Sequence, residues 1–304
     1  MTRDRPLRAF FFMLLAQLCF SSNVLLLRIT ERAEIHATGA IFRLSPWEPM
    51  LLRSFAMVAL CLYSLKKFPA NSPSPKENFW LLARGTAGVM SLSAYYYGIL
   101  HIPLGMATLF SNSSPLYVSL LAVCFGKEIL SKYGSTALIM GFIGVACVGL
   151  GATFHAEHTV PSQTILIAML SGPLSAAAFF AIRRLKDIRN EQIMLSLGLA
   201  GTLVGTAMIG LLGAHFPQSL SGWLWLIVSI APAVAAQQCL TLAFRLAPAS
   251  QVAPLQYSGP LFSGILAWYF LQETIPLLAV LGMTIVIGFG LVLPYWEVFK
   301  VKIK

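Results

Sequence analysis

Apolar residues in this chain run all the way round helix-length stretches rather than marking a single stripe. A bilayer-spanning helix needs about 20 mostly apolar residues. Ten stretches meet that length: Leu7–Leu27, Pro49–Leu65, Phe79–Leu100, Leu104–Phe125, Lys132–Ala152, Ser162–Ile182, Gln192–Gly213, Trp223–Phe244, Ala249–Leu271 and Leu277–Trp296. Helices that are hydrophobic on every side face lipid and one another. The pattern therefore predicts an all-α membrane protein with ten transmembrane helices. Arg3, Arg5 and Arg8 precede the first stretch as they would a signal peptide, but nine further spans favour an uncleaved first helix.

Composition removes other classes. Of the 304 residues, 57% are apolar and 11% charged, against about 45–50% and about 25% in soluble domains; mean hydropathy is +0.76. Charge this sparse excludes a disordered or nucleic-acid-wrapping chain. The 21 Lys and Arg outnumber the 11 Asp and Glu, giving a net charge of +10, and they are unevenly placed. With the N-terminus inside, Arg3, Arg5, Arg8, Lys66, Lys67, Lys76, the Arg183–Arg189 loop and Lys300–Lys304 fall on the cytoplasmic side, while outer segments hold only Arg28, Arg32 and Arg43. The positive-inside rule then puts both termini in the cytoplasm and the His155–His158 loop outside. The five cysteines lie in apolar runs with no CxxC spacing, so neither a disulfide framework nor a metal site is expected, and no cofactor is implied.

The chain also repeats itself. Pro103-Leu-Gly-Met-Ala-Thr-Leu-Phe-Ser-Asn-Ser-Ser-Pro115 lies over Pro248-Ala-Ser-Gln-Val-Ala-Pro-Leu-Gln-Tyr-Ser-Gly-Pro260. Without a gap, Leu116 falls on Leu261, Ala122 on Ala267, Glu128 on Glu273 and Trp80 on Trp225. Two copies of a five-helix unit follow, residues 1–152 and 153–304. Because five is odd, the second copy enters the membrane from the opposite side. Such inverted repeats are typical of secondary transporters.

The residues of this repeat resemble a known family. Arg84-Gly-Thr-Ala-Gly-Val, Tyr96-Tyr-Gly-Ile-Leu-His-Ile-Pro-Leu-Gly-Met-Ala-Thr, Ser113-Ser-Pro-Leu-Tyr-Val-Ser-Leu-Leu-Ala and Lys127-Glu128 are similar to the EamA domain, as is the run from Phe244 to Gln272-Glu273. The chain is thereby identified as a member of the drug/metabolite transporter superfamily. The Arg-Gly opening of the third span resembles the branch with bacterial S-adenosylmethionine uptake carriers, which implies a bacterial inner membrane. The resemblance implies a central cavity between the halves and a cargo drawn from amino acids, S-adenosylmethionine, organic anions or nucleotide sugars. The long segment from Arg28 to Glu48 departs from short family members.

Polar groups inside a bilayer face a cavity or a partner helix, because lipid cannot satisfy them. Ser111 and Asn112 precede Pro115, and Gln256 and Tyr257 precede Pro260; each proline is expected to kink its helix near midplane and free backbone carbonyls. Gln237 and Gln238 lie on the eighth span, with Ser93 and Tyr96 on the third. Arg53 and Arg84 sit inside the second and third spans over uncharged repeat equivalents, Ser196 and Ser229. Either arginine can hold a ligand or snorkel to the interface. No carboxylate falls in the middle of a span to relay protons or hold sodium.

Arginine without an intramembrane acid favours a carboxylate on the substrate, and the aromatic rings favour a planar or cationic group beside it. The expected function is alternating-access transport of a small polar metabolite, an amino acid or an S-adenosylmethionine-like zwitterion. An organic-anion or nucleotide-sugar carrier is the alternative within transport; a membrane-embedded enzyme or a scaffold is the alternative outside it. An enzyme is not expected, since the spans hold no reactive His, Asp, Glu or Cys cluster and no GxxxxGK[ST] loop for ATP. The expected partners are a small-molecule substrate and the lipid bilayer, with no nucleic acid; the chain is compatible with a homodimer.

Overall fold

In the computed structural model, which describes residues 5–101, 104–126, 128, 131–151, 162–272 and 277–292, each predicted stretch is mostly helical where it is described. The first half comprises α1 (Pro6–Thr38), α2 (Trp47–Lys67), α3 (Pro75–His101), the broken pair α4 (Leu104–Ser111) and α5 (Ser114–Cys124), and α6 (Lys132–Gly151). The second half comprises α7 (Ser162–Met169) with α8 (Ser171–Arg184), α9 (Asn190–Leu212) and α10 (Leu220–Leu246). It continues through α11 (Ala249–Val252), a 3-10 turn (Ala253–Tyr257) and α12 (Ser258–Leu271), and ends with α13 (Leu277–Ile285) running into a π-helical segment (Val286–Val292). Among the described residues five spans, α1, α2, the α7–α8 unit, α9 and α10, are individually long and apolar enough to cross a membrane.

Local chemistry sets the ends. Glu77 accepts from the Ser74 N–H (2.7 Å) and Ser74 Oγ from the Glu77 N–H (3.4 Å), a capping box that starts α3. The kinks expected at Pro115 and Pro260 take the form of breaks. Helix stops at Asn112–Ser113 and restarts with Pro115 in the first turn of α5. The 3-10 turn, opened by Pro254, likewise precedes Pro260 in the first turn of α12. Proline lacks an N–H, so it is tolerated where a helix begins and costly where one continues.

One boundary differs from the hydropathy reading. The segment after Leu27 is not a loop: α1 continues to Thr38, and Gly39 ends it in the left-handed region (φ 70°), its N–H bonded to the Ile35 carbonyl. Polar residues there find partners, so the helix outlasts its apolar run. Glu31 accepts from the Leu44 N–H (2.9 Å), and Glu34 accepts from the N–H groups of Gln218 (2.8 Å) and Ser219 and from the Ser219 hydroxyl.

Packing pairs the halves. α1 lies antiparallel to α10, tied by Arg5 N–H to Leu246 O (2.8 Å), Asn23 Nδ2 to Ser229 O (2.9 Å) and the Glu34–Ser219 contact. In the same way α3 lies on α8 through Ser91 Oγ to Ser171 O (2.8 Å) and the Trp80–Phe180 rings. These two pairs are repeat equivalents of each other. α2 on α9, and α6 on α13, pair a span with its own equivalent. This contact pattern is that of two copies related by a two-fold axis. Small residues bring the backbones close, as expected for Gly201 and Gly205: an added Cβ at Gly205 would touch Leu51, and one at Gly201 would strike Ser54.

The face carrying residue 5 is sealed by the largest apolar cluster, built from Phe10 and Met13 of α1, Val118 of α5, Phe180 of α8, Phe244 of α10 and Leu255 of the 3-10 turn. Glu128 closes that face. Its carboxylate accepts from the N–H groups of Ala249 (3.2 Å) and Ser250 (3.0 Å) and the Ser250 hydroxyl (2.9 Å), and pairs with Arg183 at 3.6 Å. Glu128→Ala removes a charged acceptor from groups with no replacement, so we expect a loss of about 1.5–3 kcal/mol. Thermal unfolding in detergent checks this; an unchanged midpoint would show that the bonds contribute nothing net.

Candidate functional site

The interior polar site begins with two arginines. Among the described residues four charged side chains are buried: Glu34, Glu48, Arg53 and Arg84. The two acids lie toward the face opposite residue 5, where Glu34 holds the start of α10 and Glu48 accepts from the His215 N–H (2.7 Å). The two arginines lie within the bundle. Arg84 of α3 is 3% exposed and donates from Nη2 to Oε1 of Gln237 on α10 (3.2 Å), bridging the halves. Arg53 of α2 is 8% exposed and lies within electrostatic reach of Arg84. Nε of each has no hydrogen-bond partner.

The neighbouring helices shape this site. Gly88, one turn beyond Arg84, leaves room for the guanidinium: an added Cβ would lie 2.6 Å from Arg84 Nη1 and 2.8 Å from Leu197 of α9. Gly85 lets α3 approach α9, where an added Cβ would lie 2.6 Å from the Ser196 carbonyl oxygen. Toward the face opposite residue 5, Tyr96 packs edge-on to Trp47 (6.0 Å between centroids) and beside Tyr95 (5.8 Å), forming an aromatic wall. Arg28 lies within electrostatic reach of Tyr95. A pair of guanidiniums can hold anionic groups by charge-assisted hydrogen bonds.

Other residues singled out in the sequence lie elsewhere. Gln238 is exposed and lines an apolar groove of about 470 Å³ between α2 and α10 with Leu60, Ile227, Ile230 and Val234. The turn of about 100° per residue that points Gln237 inward points its neighbour away. Ser93 spends its hydroxyl on the Val89 carbonyl of its own helix (2.9 Å). Tyr257 is fully buried in a separate cluster with Leu138, Val145 and Val286, its ring against Gly141. Gln256 is buried in the 3-10 turn with Nε2 unpartnered. Ser111 and Asn112 are half-buried at the α4–α5 break. The structure therefore joins Arg53, Arg84 and Gln237, sets Tyr96 beside Trp47 and Tyr95, and does not bring Gln238, Ser93 or Tyr257 into that group.

Two features were missed in the sequence. Gln17 of α1 is 8% exposed, its Nε2 donates weakly to the Met13 sulfur (3.6 Å), and its Oε1 lies against Gly259 of α12. A polar amide in an otherwise apolar run was the available signal. Gly88 was the other, readable as a glycine one helical turn after an intramembrane arginine.

The EamA-like transporter family matches residues 7–150 and 162–294. The chain belongs to that family. An uncharacterized transporter of Helicobacter pylori strain J99 is 26% identical over 290 residues, covering 92% of each chain. The pseudopaline exporter CntI of Pseudomonas aeruginosa strain UCBPP-PA14 is 27% identical over 76% of this chain and 80% of its own length. An S-adenosylmethionine uptake transporter of Rickettsia bellii is 24% identical over 84% of this chain and 86% of its own. A crystal structure covering 94% of this chain and 98% of its own superposes with a TM-score of 0.77 at 18% identity, a likeness of fold. The EamA-like chain is thus a multi-pass helical membrane protein with one family unit in each half.

Proposed function

We propose that this EamA-like protein is a secondary transporter carrying a small polar metabolite with a carboxylate, by alternating access between halves that divide near residue 152. The observation that supports this most is the buried Arg84–Gln237 bridge beside Arg53, polar groups that lipid cannot satisfy and a carboxylate can. The named relatives, a pseudopaline exporter and an S-adenosylmethionine uptake transporter, support cargo of the small-metabolite class. Substrate-dependent flux in proteoliposomes is the test. Flux that is saturable and absent from empty vesicles is expected; binding without flux would point to a receptor or scaffold instead.

The face with residue 5 is the cytoplasmic one in this proposal, by the distribution of Lys and Arg, in a bacterial inner membrane. The expected outer loop at His155–His158 lies outside the described residues, so α9–α10 supplies the test. On a background lacking Cys19, Cys61, Cys124, Cys147 and Cys239, Ala214→Cys should label with an impermeant thiol reagent in intact cells, and Asp187→Cys only after lysis. Labelling in the opposite order reverses the orientation.

A further inference from the structure

The buried charges of the bundle, two acids and two arginines among the described residues, balance in number but not in place, and this bears on what the proposed carrier binds. Arg53 and Arg84 are both buried in the bundle, within electrostatic reach of each other. The two buried carboxylates bond toward the face opposite residue 5: Glu34 accepts from the Gln218 and Ser219 N–H groups, and Glu48 accepts from the His215 N–H on Oε1 while its Oε2 is buried without a hydrogen bond. Glu48 stands five positions from Arg53 on α2, a rotation of about 140° away from it. Among the described residues, Arg84 has a neutral amide as its side-chain partner rather than an acid. Like charges held together in a low-dielectric interior repel strongly, and pairing each with an anion relieves that cost.

We infer that the ligand presents two negative charges to this site, one matched to Arg53 and one to Arg84. A single carboxylate clamped by both would leave a full positive charge at this site. A zwitterion with a net positive charge, such as S-adenosylmethionine, would add to it. Two carboxylates on one molecule, or a doubly ionised phosphate ester, cancel it. The free Nε atoms beside the guanidinium forks offer donors in the plane that a carboxylate or phosphate accepts. The inference rests on the transport reading for its meaning but narrows the substrate class within it.

The test is calorimetric titration of purified wild-type protein with succinate, glycerol 3-phosphate, butyrate, alanine and S-adenosylmethionine. At least one dianion should bind tenfold or more tighter than butyrate and alanine, with S-adenosylmethionine weakest; the first two ligands separate a dicarboxylate from a phosphate source. Arg53→Gln should erase the preference, weakening the dianion at least tenfold. Because the wild-type panel stands alone, a poorly folding variant does not rescue the idea. Butyrate, alanine or S-adenosylmethionine binding as tightly as either dianion overturns it, as does no dianion binding at all. Flux of a monoanion or zwitterion in proteoliposomes without dianion preference would keep the transport reading and remove this one. Dianion binding without flux would do the reverse.

Discussion

Arg84→Ala should abolish ligand binding and flux, and Arg84→Lys should weaken binding by about tenfold or more, roughly 1.4 kcal/mol. The reason is the fork. Lysine keeps a charge but is a point donor on a flexible stem, whereas the guanidinium is planar and can serve Gln237 and a ligand together. An arginine that merely snorkels would tolerate lysine, since only the position of its charge matters. Arg84 is 3% exposed and bonded across to the other half of the molecule, a placement unlike a snorkelling side chain. Arg84→Ala also leaves Gln237 without its partner, at a cost of about 1–3 kcal/mol. Affinity and thermal midpoint must therefore be measured on the same preparations. Full affinity in the lysine variant would remove the fork from recognition.

Gly85→Val should be the most destabilising single change near the site, by about 1–3 kcal/mol or more. A Cβ at this position would lie 2.6 Å from the Ser196 carbonyl oxygen and 3.1 Å from its carbon. Those are backbone atoms of α9, and α9 is itself locked against α2 through Gly198, Gly201 and Gly205. Neither helix can give way by rotating a side chain, so α3 must move and carry Arg84 with it. Gly210, with nothing within 4 Å of an added Cβ, is the control. Gly210→Ala should be nearly silent. A thermal midpoint for Gly85→Val equal to that of Gly210→Ala would show that the α3–α9 contact is looser than its geometry.

How much of this was legible beforehand depends on the kind of signal. The run of apolar residues marks a span because lipid demands a full coat of them, so all ten stretches could be read from the chain, as could the repeat carried by Pro103–Pro115 and Pro248–Pro260. Where polar residues continue a helix, hydropathy misplaces its end. α1 runs on to Thr38 because Glu31 and Glu34 find N–H donors from Leu44, Gln218 and Ser219, which are distant in sequence.

Residue type by itself selected the arginines, glutamines and tyrosines, since each is expensive in a bilayer unless partnered. It could not say which way each one points. Gln237 and Gln238 are chemically identical neighbours, yet helix rotation sends one to Arg84 and the other to an apolar groove. Tyr257 and Tyr96 look alike in sequence, but one is locked against Gly141 and the other stands beside Trp47. The sequence alone determined the class, the number of spans and the duplicated plan, because those follow from local composition and period. Only the tertiary structure decided that Arg84 bonds to the neutral amide of Gln237 with Arg53 in electrostatic reach, because that depends on how α2, α3 and α10 are rotated against each other.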